Sequence, residues 1–160
     1  MKQSTTNLVK AQVRIRDASP FDIPVLLDML RRYRKLTPLP FLAEADDSEY
    51  VTCLLTELMA GKGLVLVAEN EGVVGMLIAS IASSIWSPKH FLMTEMAYWV
   101  EPESRGGTAG YRLLIEYQQR GKAMKQENRI SNYLISKMSN SPNIQYQKFG
   151  FDKLEEFWVA

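Results

Sequence analysis

Three consecutive strand-like runs, followed by a glycine-rich junction, constrain this 160-residue chain more than any other feature. "LVLVAE" and "GVVGMLIASIAS" flank a short polar turn, the pattern of a hairpin. "FLMTEMAYWV" is a third long strand, reached through "SSIWSPKH", which reads as a loop. Strands in direct succession form an antiparallel meander, so a purely parallel, doubly wound sheet is excluded.

The flanking segments complete the pattern. "QVRIRDA" alternates apolar and charged residues as a half-buried strand does. In "SPFDIPVLLDMLRRYRKL", Ser19 caps a helix, Pro20 takes its first position, and Ile23, Leu26, Leu27 and Leu30 recur at helical spacing. "TPLPF" stops it. "SEYVTCLLTELMAGKG" predicts a second helix, capped by Ser48, apolar along Val51, Leu54, Leu55 and Leu58, and ended by Gly61. After the third strand come the helix "GYRLLIEYQQRGKAMKQE", a strand in "RISNYLISKM", a short helix closed by Gly150, and a last strand in "FDKLEEFWVA". The predicted order is β-α-α-β-β-β-α-β-α-β, a mixed α/β sheet with helices on its faces. Residues 12–160 form one domain behind a loose tail over residues 1–11.

Nineteen basic residues against eighteen acidic ones leave no overall field for nucleic acid or a membrane surface. The lone Cys53 permits no internal disulfide, and its place on an apolar helix face predicts a buried thiol. The start, "MKQSTTNLVKAQ", has no apolar run of signal-peptide length, and the longest apolar stretch, "GVVGMLIASIA", is too short to cross a bilayer. A cytoplasmic protein is the expectation.

The junction "VEPESRGGTAGYRLL" spends three glycines within five residues where a strand meets a helix. A helix N-terminus carries unpaired N–H groups and partial positive charge, and glycines let backbone approach a ligand closely. That makes a phosphate cradle, with Arg105 as a charge-assisted clamp at its rim. A plain turn, with Gly107 and Gly110 present for close packing, fits the spacing equally well. No Gly-Lys-Ser/Thr follows, so a Walker-type loop is excluded.

At these residues the sequence resembles the GNAT superfamily of acetyl-coenzyme A-dependent N-acetyltransferases. "MAYWVEPESRGGTAGYRLL" is similar to the family's strand, Arg/Gln-x-x-Gly-x-Gly/Ala loop and helix, with Arg105 first and Gly110 last. "YQKFGF" resembles its Tyr-x-x-x-Gly-Phe block, and "AENEGVVGMLIASI" its hairpin with a recurring glycine, here Gly75. Thr108 stands at the middle glycine, and Ser139 and Pro142 replace the family's Asn and Ala, with Asn140 one place out of register.

The resemblance implies transfer of an acetyl group from acetyl-coenzyme A, as cosubstrate and without a metal, to a primary amine. It implies that backbone groups of Tyr98 and Val100 pair with the pantetheine arm. It assigns Arg105, Gly106, Gly107, Thr108, Ala109, Gly110 and Tyr111 to the pyrophosphate, and Ser139 and Asn140 to the cofactor. Tyr146 matches the tyrosine that protonates the coenzyme A sulfur; a phenol of ordinary pKa about 10 stays protonated at neutral pH. The alternative for Tyr146 is an aromatic packed under the sheet.

The residues suggest Glu95, the only acid in its strand, as the base. Strand parity puts it on the face of Ala97 and Trp99, opposite Tyr98 and Val100, unless a bulge intervenes. A solvent-facing charge is the other reading. His90, the only histidine, reads as a solvated loop residue, and one His with one Cys gives no zinc cluster. Glu44, Asp46, Asp47 and Glu49 read as a solvated loop, or as an attractor of cationic amines. Thr108 and the Ser139/Pro142 changes motivate a second function, a GNAT-shaped binding protein without turnover. A homodimer is compatible with the aromatic "EEFWVA".

Overall fold

The five residues Leu64 to Ala68 are all buried, although side chains alternate across a strand. Both faces of that strand must therefore be covered. The computed structural model describes residues 12–160; the expected tail over residues 1–11 lies outside them. Strands β1 (Arg14–Asp17), β2 (Gly63–Glu69), β3 (Val73–Ser84), β4 (Ser87–Val100) and β5 (Asn132–Leu134) form one sheet in the order β1-β2-β3-β4-β5. The first four pair antiparallel, and β5 joins β4 in parallel. The parallel step is bridged by helix α4 (Ala109–Gln126), as a parallel crossover requires.

One core lies between the sheet and α4, built from Leu64, Leu66, Leu77, Met93, Leu113 and Tyr117. The other lies between the opposite face and helices α1 (Ile23–Arg34) and α3 (Ser48–Glu57), built from Leu26, Met29, Leu55, Val67, Met76 and Trp99. Each fully buried aliphatic side chain contributes about 2 kcal/mol. Gly75 sits where a Cβ would lie 2.9 Å from the Trp99 carbonyl oxygen, so β3 and β4 meet there only without a side chain.

Several expectations need correction. The last strand is absent: after Gly150 the chain takes no regular structure, and Leu154, Phe157, Trp158 and Val159 are exposed. The helix before it is a single 3-10 turn, Tyr146–Phe149, closed by Gly150 at φ 80°. "SSIWSPKH" is not a loop; β3 and β4 run through it and turn at Ile85 and Trp86. Asp47, not Ser48, caps α3, its carboxylate accepting from Tyr50 N–H at 2.9 Å. Pro40 does more than end α1; it opens a short helix, α2 (Pro40–Glu44). Cys53 is exposed, not buried. At the start of α1, Ser19 precedes a 3-10 turn, and the Asp22 carboxylate accepts from its N–H at 2.7 Å.

Candidate active site

Strands β4 and β5 pair over only three positions, Leu92–Asn132, Met93–Tyr133 and Thr94–Leu134. Beyond Thr94, β4 continues to Val100 against β3, while the chain after Leu134 leaves the sheet. The edge of β4 from Glu95 onward therefore borders an opening. Tyr117, fully buried on α4, marks where the strands part: its hydroxyl donates to the Leu134 carbonyl at 2.6 Å and lies 3.4 Å from that of Met93.

The register fixes which backbone groups face the opening. Glu101 N–H donates to the Val74 carbonyl at 2.9 Å. That geometry makes Gly75–Val100, and two residues on Leu77–Tyr98, the pairs that do not exchange hydrogen bonds. The N–H and C=O groups of Tyr98 and Val100 consequently point away from β3, into the opening.

Glu95 lies at the apex of the opening. It faces Ala79 while Ala97 faces Ile78, so Met96 is an extra residue in a bulge. The bulge inverts the parity read from the sequence: Glu95 shares the α4-side face of Met93, Tyr98 and Val100, not that of Ala97 and Trp99. Glu95 is 5% exposed, which also removes the reading as a solvent-facing charge. Burial pushes its carboxyl above the usual range, partly offset by Ser136, whose Oγ and N–H donate to Oε2 at 2.6 and 3.1 Å. Its charge bears on four tyrosines, Tyr33, Tyr98, Tyr117 and Tyr146.

At the far end of β4 the chain makes a 3-10 turn, Pro102–Ser104, and enters α4 through the glycines. Gly106 has φ 83°, a conformation that a side chain would strain. A Cβ on Gly107 would make only ordinary contact with the Ser104 carbonyl, at 3.4 Å. On Gly110 it would lie 3.2 Å from the Tyr98 hydroxyl, which donates to the Gly110 carbonyl at 2.6 Å. The first-turn N–H groups of Ala109, Gly110 and Tyr111 have no acceptor within a helix. Thr108 occupies the N-cap position, but its hydroxyl makes no capping bond.

Arg105 is turned back onto the strand. Its Nε donates to the Val100 carbonyl at 2.9 Å, and its guanidinium stacks 4.4 Å from the centre of the Trp99 ring. Glu101, which sequence reasoning passed over, is buried and accepts from Arg32 Nε at 3.1 Å, tying the loop to α1. A lone acid between a strand end and a proline was its only signal.

Tyr146 is half-buried in the 3-10 turn, its ring 5.9 Å from that of Phe151. Burial, then Glu95, Tyr98 and Tyr33, push its phenol well above the ordinary value. Burial likewise pushes Tyr98 up to about 12. The turn is fixed to α4 by Gln118, which donates to the Phe149 carbonyl. Ser139 and Asn140 sit in an exposed turn, where Asn140 Nδ2 donates to the Leu36 carbonyl beyond α1. The side-chain amide of Asn140 is thus engaged with the chain itself.

His90 is exposed beside Ser131, 3.0 Å from its Oγ. Asp46 pairs with Arg31 and Arg34, and Asp47 caps α3, so these two acids have structural partners. Among the described residues no group of three or more His, Cys, Asp or Glu side chains is placed to hold a metal ion. No helix among them is long and apolar enough to cross a membrane.

The divergent strands and the loop leading into α4 fit a known family. The model of the acetyltransferase (GNAT) family matches residues 26–151. The chain belongs to the GNAT acetyltransferase family. Its fold is that of solved acetyltransferases. A predicted acetyltransferase with acetyl-CoA from Clostridium acetobutylicum superimposes with a TM-score of 0.70, at 17% identity over 93% of this chain and 96% of that one. Glucosamine-6-phosphate N-acetyltransferase from Arabidopsis thaliana gives 0.68 at 14% identity, covering 93% and 97%. An aminoglycoside acetyltransferase from an uncultured soil metagenomic sample, in complex with sisomicin, gives 0.63 at 15% identity, covering 92% and 95%. No curated protein sequence matches significantly. At these identities the likeness to the solved structures is one of fold, and the chemistry of this GNAT chain must be read from its own residues.

Proposed function

We propose that this chain transfers an acetyl group from acetyl-coenzyme A to a primary amine. The observation that carries the reading is the opening itself. The edge of β4 bears the N–H and C=O groups of Tyr98 and Val100 on the side where β5 has left, and it leads to the unpaired amides at the start of α4. An extended amide-bearing arm matches the first feature and a pyrophosphate the second. The residues present fit such a ligand: Gly106 takes the positive φ with open space beside it, and Gly110 lets the start of α4 pack closely against Tyr98 and Val100 of β4, beside the edge that would hold the arm.

Acetyl-coenzyme A supplies the activated thioester. The residues of the chain do the rest. Tyr98 and Val100 hold the arm through their backbone. Gly106 to Tyr111, with Thr108 adding its hydroxyl, hold the pyrophosphate. Arg105 leaves the Val100 carbonyl and turns to the phosphates, so one carbonyl passes from the arginine to the arm. Ser139 flanks the site, and Asn140 joins it only by releasing Leu36. Glu95 takes the proton of the incoming ammonium and leaves a neutral amine to attack the carbonyl carbon. As the C–N bond forms and the C–S bond breaks, Tyr146 gives its proton to sulfur. The second amine proton, lost from nitrogen in the same step, passes through water to the Tyr146 phenolate, and Glu95 releases its proton to solvent, so both groups are restored.

Calorimetry with acetyl-coenzyme A tests the cradle. Micromolar binding by the natural chain, weakened about tenfold or more in Arg105→Ala, is the expected result. Binding only after Thr108→Gly would favour the second reading, a GNAT-shaped protein whose cofactor site has closed. No binding by either would overturn the proposed function.

A further inference from the structure

We infer that Ser136 is a positioning residue for Glu95, holding that carboxylate at the apex of the β4–β5 opening through two hydrogen bonds to one oxygen. The inference rests on the proposed role of Glu95 as base.

The geometry makes the case. Ser136 lies two residues beyond the end of β5, after the last β4–β5 pair, Thr94–Leu134. Its N–H and Oγ both reach across to Glu95 Oε2, at 3.1 and 2.6 Å. This contact joins the two strands just past the point where their ladder ends. Both bonds fall on Oε2, which leaves Oε1 to accept a proton from an amine or a water. Backbone and side chain of one residue act as a two-point clamp, and a carboxylate held at one oxygen has a fixed plane.

The surroundings explain why a clamp is needed. Glu95 is buried, and its charge bears on phenols: Tyr98 from its own strand, Tyr117 from α4, Tyr146 from the 3-10 turn and Tyr33 from α1, packed on the other face of the sheet. Among the described residues, the donors that stabilise its charge are the N–H and Oγ of Ser136. Burial alone favours the protonated acid, which cannot take a proton. Donors to the charged form oppose that, so Ser136 keeps the base usable nearer neutral pH. A serine in "LISKM" reads only as one polar residue of an alternating strand.

The test compares Ser136→Ala, Ser136→Thr and Glu95→Gln. The carbon-13 shift of the Glu95 carboxyl is followed against pH in protein labelled at glutamate carboxyls, and is assigned by its loss in Glu95→Gln. In Ser136→Ala the midpoint should rise by about one pH unit, because a hydroxyl donor to a charge is lost while the N–H donor remains. The alkaline rise in kcat/KM should move by the same amount. Ser136→Thr, which keeps the hydroxyl, should restore both. Ser136 sits on an exposed segment, so these variants should fold. An unchanged Glu95 midpoint in Ser136→Ala overturns the clamp. If the midpoint moves but Glu95→Gln keeps the natural rate and profile, the base reading falls, and with it the part of Ser136 in the reaction.

Discussion

Tyr146 combines a match to a short sequence block with a position that suits proton donation. Burial and the nearby Glu95 both disfavour its phenolate, so it stays protonated throughout the range where an amine can be made neutral. Tyr146→Phe keeps the ring against Phe151 and removes only the proton. It should lower kcat by roughly 10²-fold and leave the KM for acetyl-coenzyme A nearly unchanged; steady-state kinetics with a thiol-independent readout would show it. An equal loss in kcat and affinity would mean that the hydroxyl binds rather than donates. The turn that carries Tyr146 was legible, because the tyrosine, glycine and phenylalanine lie close together in sequence and Gly150 closes the turn. The face of Glu95 was not. It depends on the extra residue Met96, which is an extra residue only relative to the register of β3, and no local pattern in "MTEMAYWV" carries that register.

The elements were legible where a segment's own periodicity decides, and failed where a partner decides. Helix α4 and the β2–β3 hairpin follow from their spacing and turn residues. "FDKLEEFWVA" has strand-like composition but gains no partner, and a strand without a ladder is coil. The contact between α4 and β5 shows how tightly an element can be specified. A Cβ on Gly121 would lie 2.5 Å from a ring carbon of Tyr133. Gly121→Ala gains about 1 kcal/mol of helix propensity. It also forces apart a helix and a strand whose Tyr133 ring packs edge-on against both Tyr117 and Phe151, an overpacking cost of about 1–3 kcal/mol. The cost should win, and thermal unfolding should show a lower Tm. A higher Tm would mean that the ring moves freely, and that the Tyr117–Tyr133–Phe151 stack does not hold β5 in place.

At the scale of the molecule, the sheet separates two cores, and the proposed chemistry lies at the edge where β4 and β5 part. The opposite edge of the sheet, at β1, is held by charge. Arg16 on β1 bonds to Asp22 at 2.8 Å and Glu69 at 3.1 Å, joining the first strand, the turn before α1 and the end of β2. The Arg16 guanidinium holds the Asp22 carboxyl at about 2, below its ordinary 3.8. The sign follows from which state binds the proton more readily. The unfolded chain does, so the pair's contribution is complete above about pH 4 and disappears as pH falls through about 2. Chemical denaturation from pH 5 to pH 2 should therefore show a loss that Asp22→Asn abolishes, because the variant has already lost the pair; equal slopes in both proteins would dismiss it. The single cysteine has a consequence for the bench. Cys53 is exposed on α3, so each folded molecule presents one accessible thiol of its own. Any colorimetric count of coenzyme A released will start from a baseline of one equivalent per chain. A Cys53→Ser protein removes that background, and the natural chain accepts a single maleimide dye at a known address.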